Sequence, residues 1–255
     1  TDVPANWVFT DCLPKTGDAL WSCLKGHLMG NKAYSYDKAR EYMYGDIDYV
    51  NGKVECVYTG ELFNASTSGS TPSGMNCEHT WPQSFFNSAS PMVSDLNHLF
   101  PTEATSNNRR SAYPFGNVVG SATWTVGGSK LGTDANGTKV FQVRDQHKGD
   151  TARAVFYFAV RYEGISSKHP WVNEAELRQW SHDDPPDDQE RARNNAIQGY
   201  QNTRNPFVDH PEFVDAIPSF TAHTKKWERL PAPTYEARPL IVPWWQEGLL
   251  QSVGP

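Results

Sequence analysis

The chain has no run of about 18 apolar residues, so no segment is expected to cross a membrane as a helix. It has no C-x-x-C and no H-E-x-x-H, which leaves zinc-ribbon, thioredoxin-like and helical zinc-hydrolase readings without their spacing. It has no internal repeat and no long low-complexity linker. There is no basic excess: the net charge is −6, so the overall charge does not draw it to nucleic acid. That does not remove a nucleic-acid enzyme, which must release its product and can take local positive charge from a metal ion. The chain opens at "TDVPANW" with no basic-then-apolar leader, so the expectation is a protein never exported or one whose signal has been removed.

Cysteine is scarce. Cys12, Cys23, Cys56 and Cys77 allow three pairings. The expectation is two disulfides, Cys12–Cys23 and Cys56–Cys77. The triplets "NAS" at Asn64 and "NGT" at Asn136 and the many Ser, Thr and Gly turns agree with a secreted or periplasmic protein. Four buried free thiols in a cytosolic protein are the bland alternative.

What the chain does have is length and rings. Its 255 residues suffice for a sizeable core, and aromatics make up 13%. Helices are expected over 17–30 and 35–45. Asn51-Gly52 between short β-prone runs signals a hairpin. Residues 64–74 read as a loop, and 117–144 as β structure with Gly-rich turns. In "DTARAVFYFAVRYEG", Val155, Phe158, Ala159 and Tyr162 make a helical stripe that Gly164 can close. "DDPPDDQERARNNAIQGYQNTR" begins with acids and continues with bases, as a helix dipole favours. These mixed elements predict an α+β fold, with one domain over 1–230 and a Pro/Trp-rich tail over 231–255 packed on it.

Chemistry concentrates in "NCEHTWP" (76–82) and "DLNHLFP" (95–101), followed by "TSNNRR". If 76–82 and 95–101 are strands and 102–112 is a helix, the unit is a ββα finger over about 75–112. Carboxylate and amide oxygens suit a hard cation, so Glu78 and Asn107 are candidate ligands of Mg²⁺, with Asn108 next in line. Asn107 and Arg110 share a helix face, and Arg110 could grip a phosphate. His79 is the candidate general base, since an imidazole is an effective base near neutrality. Alternation places His79 and Glu78 on opposite strand faces, an objection relieved if the strand ends there. Asp95, Asn97 and His98 are supporting polar residues. Arg109, Arg144, Lys148 and Arg153 are candidate phosphate contacts, with solvated or helix-end charges as the bland reading. Trp81 reads as core, and "RNPFVDHPE" (204–212) as an internally bonded turn.

Together "NCEHTWPQSFF", "SDLNHLFPTEATSNNRRSAYPFG", "KGDTARAVFYFAVRY" and "DDQERARNNAIQGYQNTRNPFVDHPEF" resemble the secreted and periplasmic bacterial endonuclease I family, in order, over roughly residues 35–215. The resemblance implies a His-Me finger (ββα-metal) fold. It also implies a largely sequence-nonspecific nuclease cutting DNA, often RNA too, to leave 5′-phosphate and 3′-hydroxyl ends. His79 would be the general base, Glu78 and Asn107 the Mg²⁺ ligands (Mn²⁺ or Ca²⁺ able to substitute), and Arg110 a catalytic group near the phosphate. The family often carries a His directly after the Asp-Leu of the second strand. Here Asn97 stands in that place and His98 follows. A monomer is expected. Two other classes were weighed: a secreted binding module on an inactive nuclease scaffold, with the aromatic tail as its surface, and a zinc hydrolase using His79, His98 and Cys77.

Overall fold

The structure, a computed structural model, describes residues 8–165 and 168–224, so the expected tail over 231–255 lies outside the described residues. Two helices lead, α1 (Gly17–Leu28) and α2 (Tyr36–Tyr42). The Ser35 side chain accepts from the Lys38 N–H and so starts α2. A single π-helical turn, Met43–Ile47, extends α2 and carries Met43 and Tyr44 into the core.

A three-stranded antiparallel sheet follows: β1 (Tyr49–Val50), β2 (Lys53–Glu55) and β3 (Leu62–Asn64). The hairpin expected at Asn51-Gly52 forms, with Val50 opposite Lys53. Both turn residues have positive φ, 50° and 82°, which the right-handed strand twist selects and which Asn and Gly tolerate. Next come β4 (Met75–His79) and β5 (Leu99–Glu103), antiparallel, with Cys77 opposite Pro101, Glu78 opposite Phe100 and His79 opposite Leu99. The helix α3 (Ala104–Arg110) leaves the end of β5, which completes a ββα unit.

Its boundaries differ from the expected ones for local reasons. The first strand ends at His79, where Trp81-Pro82 turn the chain into a 3₁₀ turn over Gln83–Phe85. Residues Leu96–His98 are a 3₁₀ turn rather than strand, because the Asp95 carboxylate accepts from the Asn97 N–H (3.1 Å) and curls the chain. The expected two-face alternation over 95–101 therefore does not exist. Helix α3 starts at Ala104 because the Glu103 carboxylate accepts from the Thr105 and Ser106 N–H groups, 3.0 and 2.8 Å.

A second three-stranded antiparallel sheet, β6 (Trp124–Val126), β7 (Ser129–Thr133) and β8 (Lys139–Gln142), occupies the Gly-rich segment read as β structure. Five helices then follow: α4 (Lys148–Arg161), α5 (Glu174–Asp183), α6 (Asp188–Gln201), α7 (Pro206–Asp209) and α8 (Phe213–Ala216), with a last turn α9 (Phe220–Thr224). The fold is α+β, as expected.

Helix α4 is buried on nearly every side rather than along one stripe. It packs against α1, α5, α7, α9 and the turn before β5. Two of its long polar side chains survive burial through partners on other elements. Arg153 donates through Nε and Nη2 to Glu190 at 2.9 and 2.6 Å, and the Tyr157 hydroxyl donates to Asp95 at 2.8 Å. Trp81 stacks on Phe158 of α4, ring centroids 4.8 Å apart, and is fully buried. A ring so enclosed is worth about 3–5 kcal/mol against alanine, so the chain after His79 is tied to the central helix.

One disulfide forms, Cys12–Cys23. The expected Cys56–Cys77 bridge does not: both are buried free thiols. The β4–β5 pair separates them. The Cys56 sulfur lies 3.7 Å from the Thr102 hydroxyl and accepts from the Glu103 N–H at 3.1 Å. Thr102 lies opposite Asn76 and shares the Glu78 face, whereas Cys77 projects to the other face, 3.9 Å from the Met43 sulfur. Two thiols on opposite faces of a sheet cannot be joined without moving backbone.

Candidate active site

A concavity of about 300 Å³ opens at the end of β4, lined by Glu78, His79, Gln83, Asn107, Asn108 and Arg110 among others. The ββα unit thus brings five of the sequence-selected residues to one place. The objection that Glu78 and His79 face opposite ways is met by the strand ending at His79.

His79 is buried, and its ring is held from both sides. Nε2 is 3.0 Å from the Val93 carbonyl, and Nδ1 is 3.1 Å from the Gln83 amide nitrogen. A carbonyl can only accept, so Nε2 carries the proton and Nδ1 keeps a lone pair. Burial, then the neighbouring His98, pushes its pKa down to about 3, so the imidazole is neutral at neutral pH. Rings of Tyr36 and His98 sit 5.4 and 5.3 Å from it. His98 is itself buried, its Nε2 2.6 Å from the Met92 carbonyl, and burial lowers its pKa to about 4. The two imidazoles therefore hold adjacent carbonyls, Met92 and Val93, of one 3₁₀ turn (Met92–Ser94).

Glu78 is 3% exposed, and burial pushes its pKa up to about 7 against the pull of Arg110. Its Oε1 lies 3.1 Å from Arg110 Nε, yet neither atom makes a hydrogen bond, because the N–H is not aimed at the oxygen. The buried Tyr58 hydroxyl faces this carboxylate and also favours its ionised form. Glu78 Oε1 and Arg110 Nε thus stand unsatisfied side by side. The Asn107 side chain, on α3, lines the same concavity and makes no side-chain hydrogen bond among the described residues. A buried carboxylate oxygen and a free amide oxygen on one small concavity fit a hard divalent cation.

Arg110 is 1% exposed. Nη1 donates to the Ser111 carbonyl (2.8 Å) and Nη2 to the Thr80 carbonyl (2.7 Å). Ser111 has φ 50°, and that turn brings its carbonyl back to the guanidinium. All three nitrogens face groups of the chain. The guanidinium thus lies enclosed beside Glu78, at the wall of the concavity. Arg109, next to it, is exposed and its side chain makes no hydrogen bond among the described residues, and the same holds for Asn108.

Asp95 is a structural hub. One oxygen accepts from the Tyr157 and Tyr162 hydroxyls, 2.8 Å each, and the other from Gln201 Nε2 at 2.8 Å. Asn97 is buried beside it. Arg144 and Lys148 are not in the concavity: Arg144 pairs with Glu55, and Lys148 with Asp145 at 2.8 Å. Arg153 is wholly internal. Arg144 instead lines a separate cavity of about 160 Å³ with Asp48, Glu55, Asp150, Glu190 and Arg193. The sequence reading missed Gln83, Tyr58 and the Val93 carbonyl. Gln83 stands four residues after His79, a weak signal, and a backbone carbonyl carries none.

Comparison with known proteins places the chain in a family. The family model described as "Endonuclease I" matches residues 15–212. A protein named "Extracellular ribonuclease" from Bacillus subtilis (strain 168) is 33% identical over 222 residues, covering 80% of this chain and 75% of its own length. A protein of the same name from Bacillus amyloliquefaciens is 34% identical over 222 residues with the same coverage.

Proposed function

Since the chain belongs to the endonuclease I family and is a phosphodiester-cleaving endonuclease, we propose that His79 is its general base and that a divalent cation, Mg²⁺ first, is held by Glu78 and Asn107. The observation that carries the reading is the His79 ring: neutral, its proton fixed on Nε2 by the Val93 carbonyl, and its Nδ1 lone pair turned to Gln83, which lines the concavity with it. When bound, the cation would supply Lewis acidity to the phosphate and charge for the leaving oxygen. The chain's own residues do the rest. A water replacing the Gln83 amide at Nδ1 loses its proton to His79 as it attacks phosphorus. The ring's orientation is kept by Val93 and by the packed Tyr36 and His98 rings. Arg110 holds Glu78 in place from behind, and the exposed Arg109 is placed to meet a backbone phosphate. The 3′ oxygen leaves, which gives 5′-phosphate and 3′-hydroxyl ends.

A water nucleophile does not need the 2′-hydroxyl, so the proposed substrates are both RNA and DNA, the former in keeping with the relatives' names. No helix among the described residues is long and apolar enough to cross a membrane. With extracellular relatives, the proposed site of action is outside the cytoplasm. The test is the chemistry of the ends. RNA and DNA fragments cut in Mg²⁺ should carry 5′-phosphates, and EDTA should stop cleavage of both. RNA fragments ending in 2′,3′-cyclic phosphate, with DNA untouched, would show attack by the 2′-hydroxyl and overturn the water mechanism.

A further inference from the structure

Away from the concavity, Asp11, Cys12, Cys23 and His27 each offer one metal-ligating atom, and these four atoms lie within 4.8 Å of one another. Asp11 and Cys12 sit in a turn fixed by the Cys12 N–H donating to the Phe9 carbonyl (2.9 Å) and the Lys15 N–H to the Cys12 carbonyl (2.9 Å). Cys23 and His27 are four residues apart on α1, so they share one face of the helix. His27 Nε2 is 2.9 Å from Asp11 Oδ1, and the Cys23 sulfur is 3.3 Å from Asp11 Oδ2. His27 and Asp11 are largely exposed, so solvent reaches the cluster.

We propose that this corner is a redox-exchangeable metal site: a disulfide when oxidised, and a four-ligand Zn²⁺ site when reduced. Two thiolates, one imidazole and one carboxylate are zinc ligand types, and their number is that of a closed tetrahedral site. Tetrahedral bonds of about 2.0–2.3 Å set ligand atoms roughly 3.3–3.8 Å apart. The Asp11, His27 and Cys23 atoms are already near that spacing. Only the two sulfurs must part, and reduction does that. The balance is simple. A dithiol or phosphine reductant gives two electrons, the sulfur–sulfur bond breaks, and two protons complete two thiols. Zinc then binds both as thiolates and releases those two protons. A small-molecule disulfide oxidant, which takes the two electrons as it is cleaved to two thiols, reverses the exchange and expels the ion, because a disulfide sulfur carries no charge for it. In either state residues 11–12 stay tied to α1, so the ion takes over the task of the bridge in a chain that has not yet been oxidised.

The test uses Co²⁺ as a spectroscopic probe on the full chain reduced with a phosphine. The reduced chain should bind one Co²⁺ with the intense tetrahedral bands and thiolate-to-cobalt charge-transfer absorption, bleached by Zn²⁺, and the oxidised chain should show neither. Cys12→Ser should abolish the band, whereas the Cys56→Ser/Cys77→Ser double variant should keep it. His27→Gln should weaken binding by more than the ~10-fold typical of losing an outer-shell partner. A reduced chain with no charge-transfer band, or a band that survives Cys12→Ser, overturns the proposal. Thermal melting gives a second readout that does not depend on the variants folding. Zn²⁺ should raise the melting temperature of the reduced chain and leave that of the oxidised chain in place, and a reduced chain whose melting zinc does not move is equally fatal.

Discussion

Glu78 and His79 are neighbours, and burial drives each toward its neutral form, Glu78 up to about 7 and His79 down to about 3. For His79 the neutral form is the one that accepts a proton. For Glu78 it is the form that a bound cation would reverse. Glu190 shows the same physics without a catalytic partner. Burial first, then the adjacent Asp150, pushes its pKa up to about 8 despite Arg153. The folded value lies above the ordinary 4.5, so the stability tied to this group is complete below pH 4.5 and is lost as pH rises through about 8. Glu190→Gln cannot ionise and lacks that loss. Its urea midpoint should therefore gain on the parent's as pH is raised from about 5 to about 9. A difference that stays constant across that range would show that Glu190 does not titrate there.

The elements that the sequence made legible were those with a local cause. Asn51-Gly52 specified its hairpin by backbone preference, and the apolar period of α4 specified its helix. The ββα unit was legible from the order of two β-prone runs and a helix, and with it the meeting of Glu78, His79 and Asn107. Three elements resisted. Residues 96–98 look alternating, but Asp95 bends them through its side-chain bond to Asn97. Helix α5 went unread, and its His182 lies in its last turn beside Asp215 at 3.2 Å. Cys56–Cys77 is the simplest pairing on paper, and only the sheet between the two shows why it cannot close. Reduction now touches only the bridge between the first turn and α1, which closes a loop with a sequence separation of 11. With a chelator present to keep metals away, reduction should cost about 3 kcal/mol of stability by loop entropy. Cleavage under folding conditions should be unchanged, because no residue of the concavity touches either cysteine. Loss of activity in a reduced chain that remains folded would contradict this.

The whole molecule is acidic, and its charge is unevenly used. Arg110, Arg144, Arg153 and Arg193 are committed to carboxylates or carbonyls inside the fold. Arg109, next in sequence to Arg110, is exposed. A nucleic-acid substrate must still be captured against a repelling net charge of −6. Cleavage at subsaturating substrate should fall several-fold between about 50 and 200 mM monovalent salt, and a flat salt profile would show that capture does not depend on charge. The proposed general base is one neutral imidazole, His79. The direct measurement is single-turnover cleavage of one RNA and one DNA oligonucleotide in saturating Mg²⁺ by the parent and by His79→Ala, with folding checked by circular dichroism. The account predicts a rate loss of about 10²–10⁴-fold on both substrates, the range for removing a general base. A folded His79→Ala variant that cuts either substrate at the parent's rate would contradict it.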